Sequence, residues 1–307
     1  MNKKSVQSYG LMIGSMLIFG TIGIFRKFIP LSSAFLAFAR GVLGTVFLCI
    51  FVKVRGRKLF HGIGKKNFFL LFAIGAGIGV NWLLLFEAYN RTTVAIATLC
   101  YYMAPTIVIL LSPLVFREKL TAKKLLCALI SIIGMVFVSG VFDTSAAAGG
   151  SASSGTTPAG ILFGLGAAVL YAVVVILNKK VQIEDAYEKT VIQLASAAAI
   201  MIPYLLLTED LGSIRLTGFS LPMLLIVGIV HTGMAYAMYF SSMNDLKAQS
   251  IAVLSYIDPV SALILSAVFL QESLSVFGIV GAVLIIGAAL FSEMEFPKPC
   301  HGSASCP

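Results

Sequence analysis

Charge is what this sequence has least of. Only 11% of its 307 residues are Asp, Glu, Lys or Arg, about half the share of an ordinary soluble domain. With 59% hydrophobic residues beside it, that shortage excludes a water-facing globular surface and leaves a fold solvated by lipid. Histidine is nearly as scarce: His61, His231 and His301 are the three present. There is no HExxH, no GxSxG and no paired aspartate motif, so an intramembrane protease or lipid transferase would lack its nucleophile, base or metal cluster. The five cysteines do not supply a metal site either. Cys49, Cys100 and Cys127 lie inside hydrophobic runs, where they act as small apolar packing groups. Cys300 and Cys306 flank His301 at a spacing unlike that of a zinc site. No metal and no cofactor is expected. Gly75, Gly77 and Gly79 imitate a nucleotide loop, but no strand precedes them and they lie within an apolar run, so they read as helix packing or a hinge.

What the sequence has in abundance is long apolar runs. A hydrocarbon core of about 30 Å needs about 20 residues of helix. Ten spans are predicted: Ser8–Phe28, Ser32–Val52, Asn67–Tyr89, Thr93–Phe116, Ala122–Phe142, Pro158–Leu177, Tyr187–Thr208, Phe219–Ser241, Ala248–Gln271 and Leu274–Ser292. The first has Lys3 and Lys4 before it but no clean cleavage site after it, and is read as retained rather than as a signal sequence. The net charge of +9 does not form a nucleic-acid face. With the N-terminus inside, 17 of the 22 basic residues fall on the cytoplasmic side, and only Arg26, Lys27, Arg91 and Arg215 fall outside, with Arg40 within a span. The positive-inside rule therefore places both termini in the cytoplasm and the chain in the cytoplasmic membrane. The basic loop Lys53–Lys66 reads as a topological signal. Membrane lipid is the expected surrounding partner, and nucleic acid is not.

The sequence also repeats itself. Tyr102, Pro105, Glu118 and Leu120 recur without a gap as Tyr256, Pro259, Glu272 and Leu274, 154 positions later, and Gly79 with Trp82 recurs as Gly233 with Tyr236. Gly10 and Gly14 open the first span as Gly160 and Gly164 open the sixth, and such pairs allow close helix approach. The chain divides into a first repeat at 1–142, a Ser/Ala/Gly linker on the outside at 143–157, a second repeat at 158–295 and a cytoplasmic tail at 296–307. Five spans per repeat is an odd number, so the second copy must enter the bilayer inverted. The fold class is all-α: ten transmembrane helices as two inverted five-helix repeats.

These repeated residues, with Arg26 and Lys27 ending the first span, Arg40 in the second, the REKLT turn at Arg117–Thr121, HTGMAY at His231–Tyr236 and SYIDPVSALILS at Ser255–Ser266, resemble the EamA family of the drug/metabolite transporter superfamily. The likeness runs from Gly10 to Phe291. It implies halves related by a two-fold axis in the membrane plane, a central cavity lined by both, and export or facilitated movement of amino acids and related metabolites. It implies no particular substrate or coupling ion.

Ionisable groups at mid-bilayer cost roughly 2.5–3.5 kcal/mol and mark candidate sites. Asp258 lies eleven residues beyond Lys247, or about 17 Å deep, next to the helix-breaking Pro259. The first repeat carries Ala104 before Pro105, so the break is shared and the carboxylate is not. It reads either as a proton carrier or substrate ligand, or as a carboxylate bonded to a neighbouring helix. Arg40 is about 12 Å into its span, with Asp258 and Glu87 as possible partners and a substrate carboxylate as the alternative. His231 sits midway along the eighth span near Tyr236 and Tyr239; it is either a titrating site residue or a satisfied packing histidine. Asn81 and Trp82 match Ala235 and Tyr236 in depth. Tyr101, Tyr102, Tyr171 and Tyr256 form a set of polar aromatics that either walls a cavity or bonds helix to helix. Glu118 and Glu272 end their spans and read as caps for the helices beginning near Thr121 and Ser275.

The expected function is secondary transport of a small-molecule metabolite by alternating access, in the direction of export. Pro105 and Pro259 act as hinges, substrate enters between the fourth and ninth spans, and protons are a candidate coupling ion. An uncoupled, channel-like facilitator and an intramembrane enzyme are the alternatives. A monomer suffices, and a homodimer is compatible. Inversion has a direct test: single cysteines in place of Glu118 and Glu272 should react with an impermeant maleimide from opposite faces of the membrane, and labelling from one common face would refute the arrangement.

Overall fold

The computed structural model describes residues 3–56, 63–116, 121–139, 157–181, 185–210, 212, 216, 218–243, 246 and 248–293. These are helical and contain no strand. The helices are α1 (Lys3–Phe28), α2 (Ser33–Val54), α3 (Lys65–Arg91), α4 (Val94–Tyr101), α5 (Ala104–Phe116), α6 (Ala122–Val138), α7 (Pro158–Asn178), α8 (Ala186–Thr208), α9 (Ser220–Leu225), a π-helical segment Ile226–Met234, α10 (Ala235–Met243), α11 (Ala248–Ser255), α12 (Ile257–Phe269) and α13 (Val276–Glu293). Seven segments are long and apolar enough to cross a bilayer: Val6–Phe28, Ser33–Val54, Lys65–Arg91, Val94–Leu111, Pro158–Asn178, Ala186–Thr208 and Ser220–Ser242. The protein is multi-pass. Glu118, His61, Cys300, His301, Cys306 and all of the expected linker except Thr157 lie outside the described residues.

Local sequence starts these helices where their first N–H groups need acceptors. Ser32, Thr93, Thr121 and Thr157 accept from the amides of Phe35, Ile96, Lys124 and Gly160, and Asp185 accepts from those of Tyr187 and Glu188. Three expected spans depart from a regular rod, the ninth by a break at Tyr256 between α11 and α12. The fourth is not one helix but α4 and α5, separated at Tyr102–Met103, because Pro105 has no N–H to give to the turn before it. The eighth runs through nine π-helical residues centred near His231, in which two side chains reach carbonyls five residues back: Thr232 Oγ1 donates to Val227 O at 3.0 Å, and His231 Nδ1 lies 3.3 Å from Ile226 O.

Helix approach is set by small residues, as expected where lipid gives helices no hydrophobic reason to associate. α6 and α13 cross where Gly134 and Gly281 meet: a Cβ on Gly134 would lie 2.8 Å from Gly281 O. On the π segment, Gly228 and Gly233 receive Leu43 and Phe47 of α2. The glycine run of α3 packs the same way, since a Cβ on Gly75 would overlap Gln193 O of α8 and one on Gly79 would lie 2.7 Å from Ala197 O. Gly10 corrects an expectation. A Cβ there would meet nothing within 4 Å among the described residues, whereas Gly14 abuts Met238, Gly160 abuts Arg91 and Gly164 abuts Cys100. Only one member of the first glycine pair therefore holds a close crossing.

One end of the bundle is tied together by residues far apart in sequence. Lys27 Nζ donates to Thr92 O at 3.1 Å, Thr157 Oγ1 donates to Arg91 O at 2.8 Å, and Ser32 Oγ donates to Glu209 Oε2 at 2.7 Å. At the opposite end Tyr9 and Ser250 share a hydrogen bond of 3.3 Å. Helix α1 thus finishes at the end where α7 starts.

Gly75→Ala should lower stability by about 1–3 kcal/mol through overpacking against the α8 backbone. Gly10→Ala should be neutral. Thermal unfolding of the detergent-purified protein followed by cysteine-reactive fluorescence compares the two, and equal midpoints would contradict the packing described.

Candidate functional site

The two interrupted spans meet at the centre of the bundle. Tyr102 follows α4 and Tyr256 precedes α12, and their rings lie 6.5 Å apart. Tyr102 Oη donates to Asp258 Oδ2 at 2.6 Å, so the hydroxyl at one break holds the carboxylate beside the other. Around this pair lies a cavity of about 510 Å³. Its walls come from α1 (Met16, Phe19, Gly20, Ile22), α2 (Arg40), α3 (Trp82, Leu85, Tyr89), the α4–α5 break (Thr98, Tyr101, Tyr102, Ala104, Pro105), α7 (Tyr171, Val175), α10 (Tyr236, Tyr239) and the α11–α12 break (Ser255, Tyr256, Asp258, Ala262). Seven tyrosines and the single tryptophan make the lining aromatic with hydroxyl tips, which suits an amphipathic guest.

Arg40 and Asp258 are the charged residues of that lining. Arg40 corrects an expectation: among the described residues no carboxylate lies within ion-pairing distance of it. Its guanidinium stacks on Trp82, 3.9 Å from the ring centroid, with Phe86 at 5.5 Å, and its Nε donates to Thr232 Oγ1 at 3.1 Å. Stacking on an indole face stabilises a buried guanidinium without neutralising it. Asp258 is occupied by Tyr102, and Glu87 points away to Arg91 at 3.2 Å and Asn90 at 3.5 Å. The positive group therefore faces the cavity uncompensated by an acid.

Three of the expected site residues stand behind the wall rather than in it. His231 packs edge-on to Phe25, with Nε2 2.7 Å from Thr21 Oγ1, tying the π segment to α1. Asn81 Nδ2 donates to Ala167 O at 2.6 Å, tying α3 to α7. Pro259 is buried one residue beyond Asp258 and is not among the lining residues. Arg40, Trp82, Tyr101, Tyr102, Pro105, Tyr171, Tyr236, Tyr256 and Asp258 do line the cavity together. Tyr89, Thr98, Ser255 and the α1 face Met16–Phe19–Gly20 were not anticipated. The signal for Gly20 was its small size: a Cβ there would overlap Ser261 Oγ and sit 2.8 Å from Asp258 O. Tyr89 gave no signal apart from its place at a span end, where an interfacial role is the ordinary reading.

Glu272 also differs from expectation. Ser275, not Glu272, caps α13, accepting from Gly278 N at 3.1 Å. Glu272 Oε2 instead accepts from Val94 N at 2.8 Å and Ala95 N at 3.3 Å, at the start of α4 in the other half of the chain.

An all-helical multi-pass bundle enclosing an aromatic cavity with one cation and one acid suits a transporter of small molecules. The model of the EamA-like transporter family matches the chain twice, over residues 7–140 and 158–294. This chain belongs to that family, within the drug/metabolite transporters. Several relatives carry transporter names. The uncharacterized transporter YxxF of Bacillus subtilis (strain 168) is 30% identical over 281 residues, covering 91% of this chain and 87% of its own. An uncharacterized transporter of Archaeoglobus fulgidus is 25% identical over 92% of this chain and 94% of its own. Protein PecM of Dickeya dadantii (strain 3937) is 29% identical over 76% and 78%. A solved crystal structure superposes with a TM-score of 0.63 at 20% identity, covering 93% of this chain and 96% of that one, which establishes the shared fold.

Removing the hydroxyl that bridges the breaks, as Tyr102→Phe, should cost about 1.5–3 kcal/mol, because it leaves a buried carboxylate without its donor. The thermal midpoint should fall, and Asp258→Asn in the same background should recover part of the loss. No change in the single variant would place Asp258 on another donor.

Proposed function

We propose that this chain is a secondary transporter that moves a small amphipathic metabolite, an amino acid or related compound, out across the cytoplasmic membrane by alternating access. The observation that carries the reading is the meeting of two interrupted helices, one from each family match, at a central cavity that holds Arg40 and Asp258. Interrupted helices inside a membrane are tolerated where they line a cavity, and their freed polar groups are what a substrate can use.

Ten spans in two inverted repeats, 1–142 and 158–295, joined by the 143–157 linker and followed by a 296–307 tail, fit the arrangement. Besides the seven long segments, α6 has 17 residues, α13 has 18, and α11 with α12 forms an interrupted ninth. At 1.5 Å per residue, 17 residues span about 26 Å. The opposed directions of α1 and α7 support the inversion. With both termini cytoplasmic, the end bearing Lys27 and Glu272 is external.

Arg40 would take a substrate carboxylate, since its stacked guanidinium keeps donors for a planar bidentate partner. Asp258 would take an ammonium group or a proton, with Tyr102 as the hydroxyl it exchanges. The tyrosine and tryptophan faces would cover the apolar body of the guest. His231 and Asn81 would hold the π segment and α3 in register behind that wall. Pro105 and Pro259 would let each half bend.

Flux into proteoliposomes measured over a panel of labelled amino acids tests the assignment. Arg40→Ala should raise KM for a carboxylate substrate about tenfold or more, the worth of a charge-assisted hydrogen bond, and spare the matching carboxamide. Equal losses for both would remove Arg40 from recognition. Asp258→Asn should abolish the response to an imposed pH gradient. A parent protein indifferent to that gradient would favour the uncoupled facilitator.

A further inference from the structure

The helix pairs largely obey the repeat. Helix α1 packs on α12 as α7 packs on α5, α1 packs on α10 as α7 packs on α3, and α2 packs on the π segment as α8 packs on α3. The interrupted spans do not obey it: α4 packs on α12, but among the described residues the mate of that pair, α5 with α11, makes no comparable contact. These four helices are the halves of the two interrupted spans. The halves at the Glu272 end are together, and among the described residues the halves at the other end make no comparable contact, so the two interrupted spans are fastened to each other at the Glu272 end.

Glu272 sits where that closed side is fastened. Helix α12 ends in a turn in which the amides of Leu270 and Glu272 both reach Ser266 O, at 3.0 and 3.3 Å. The turn needs a left-handed residue between them, and Gln271 fills the place at φ 55° where glycine is the ordinary choice. A side chain there costs roughly 1 kcal/mol. The strained turn aims the Glu272 carboxylate across to the first amides of α4, with the Lys27 ammonium 4.0 Å from its other oxygen and anchored on Thr92 O. Two charge-assisted bonds and one cation therefore join α12, α4 and α1. Thr93 Oγ1 caps only Ile96 N, at 3.1 Å, so the Glu272 carboxylate is what satisfies the two α4 amides before it.

We propose that Glu272 is a gating residue: its carboxylate, with Lys27, latches α12 onto α4 and shuts the cavity at that end, and the latch must open for the cavity to face the other way. This rests on the carrier reading. Glu272 is not among the residues lining the cavity, so its action is through the positions of α4 and α12.

The test uses the full chain with its five cysteines changed to alanine and one reporter, Ser255→Cys, on the cavity wall. Right-side-out and inverted vesicles are treated with an impermeant cationic methanethiosulfonate. In the parent, modification should be fast from the face opposite Glu272 and slow from the Glu272 face. Glu272→Ala should speed reaction from the Glu272 face by about tenfold or more, since it removes two bonds to a charged acceptor. Lys27→Gln, which keeps both amide bonds, should speed it less. A Glu272-face rate within about twofold of the parent in both variants would overturn the latch; twofold is worth about 0.4 kcal/mol, far below one such bond. A reporter that reacts from neither face in the parent would instead overturn the carrier reading. Glu272→Gln, which keeps an acceptor oxygen, should fall between parent and alanine, and stands in should the alanine variant fail to reach the membrane.

Discussion

A peptide group in hydrocarbon can send its hydrogen bond only along its own helix or to a buried neighbour, and the architecture of this protein follows from where that demand is locally relaxed. At the first break, Tyr102 N still reaches Thr98 O and Met103 N reaches Cys100 O, at 2.9 and 3.1 Å, before α5 resumes with Ile107 N on Met103 O. At the second, Val260 N returns to Tyr256 O at 3.3 Å. In the π segment the Thr232 and His231 side chains serve the carbonyls five residues back. Each irregular place is buried at its centre, at Met103, at Tyr256 and at His231 with Thr232, where side chains from other helices surround it.

The same constraint governs the few charges. Each is placed where something other than water can hold it: Arg40 on the face of Trp82, Asp258 under the Tyr102 hydroxyl, and Glu272 on the first amides of α4. None of these partners is a neighbour in sequence, and two of them join one repeat to the other. A protein with so little charge uses it to connect its halves, and the cavity lies at the connection.

Much of this was legible in the chain. The apolar runs, the gap-free recurrence of Tyr102 and Pro105 at Tyr256 and Pro259, and the lone acid beside the second proline pointed to the family and to most of the cavity wall. The reading failed where a residue's role depends on a partner helix. Glu87 and Asp258 were reasonable mates for Arg40 by depth, but depth along a helix says nothing of rotation about it. Trp82 instead faces the guanidinium. For His231 the sequence left a titrating site residue and a satisfied packing histidine both open, and the π segment turns it toward Thr21 and Phe25. Gly10 shared a spacing with Gly14 but not its contact.

By itself the sequence determined the helical class, the duplication and the positions of the two proline breaks. These depend on local chemistry: span length, the missing amide of proline, and the scarcity of charge. Only the tertiary structure decided that the two breaks touch through Tyr102 and Asp258, that Glu272 serves a helix 178 positions away, and that α4 packs on α12. Such pairings are fixed by how helices rotate and cross once packed, and one helix's hydrophobic pattern is satisfied equally well by several neighbours.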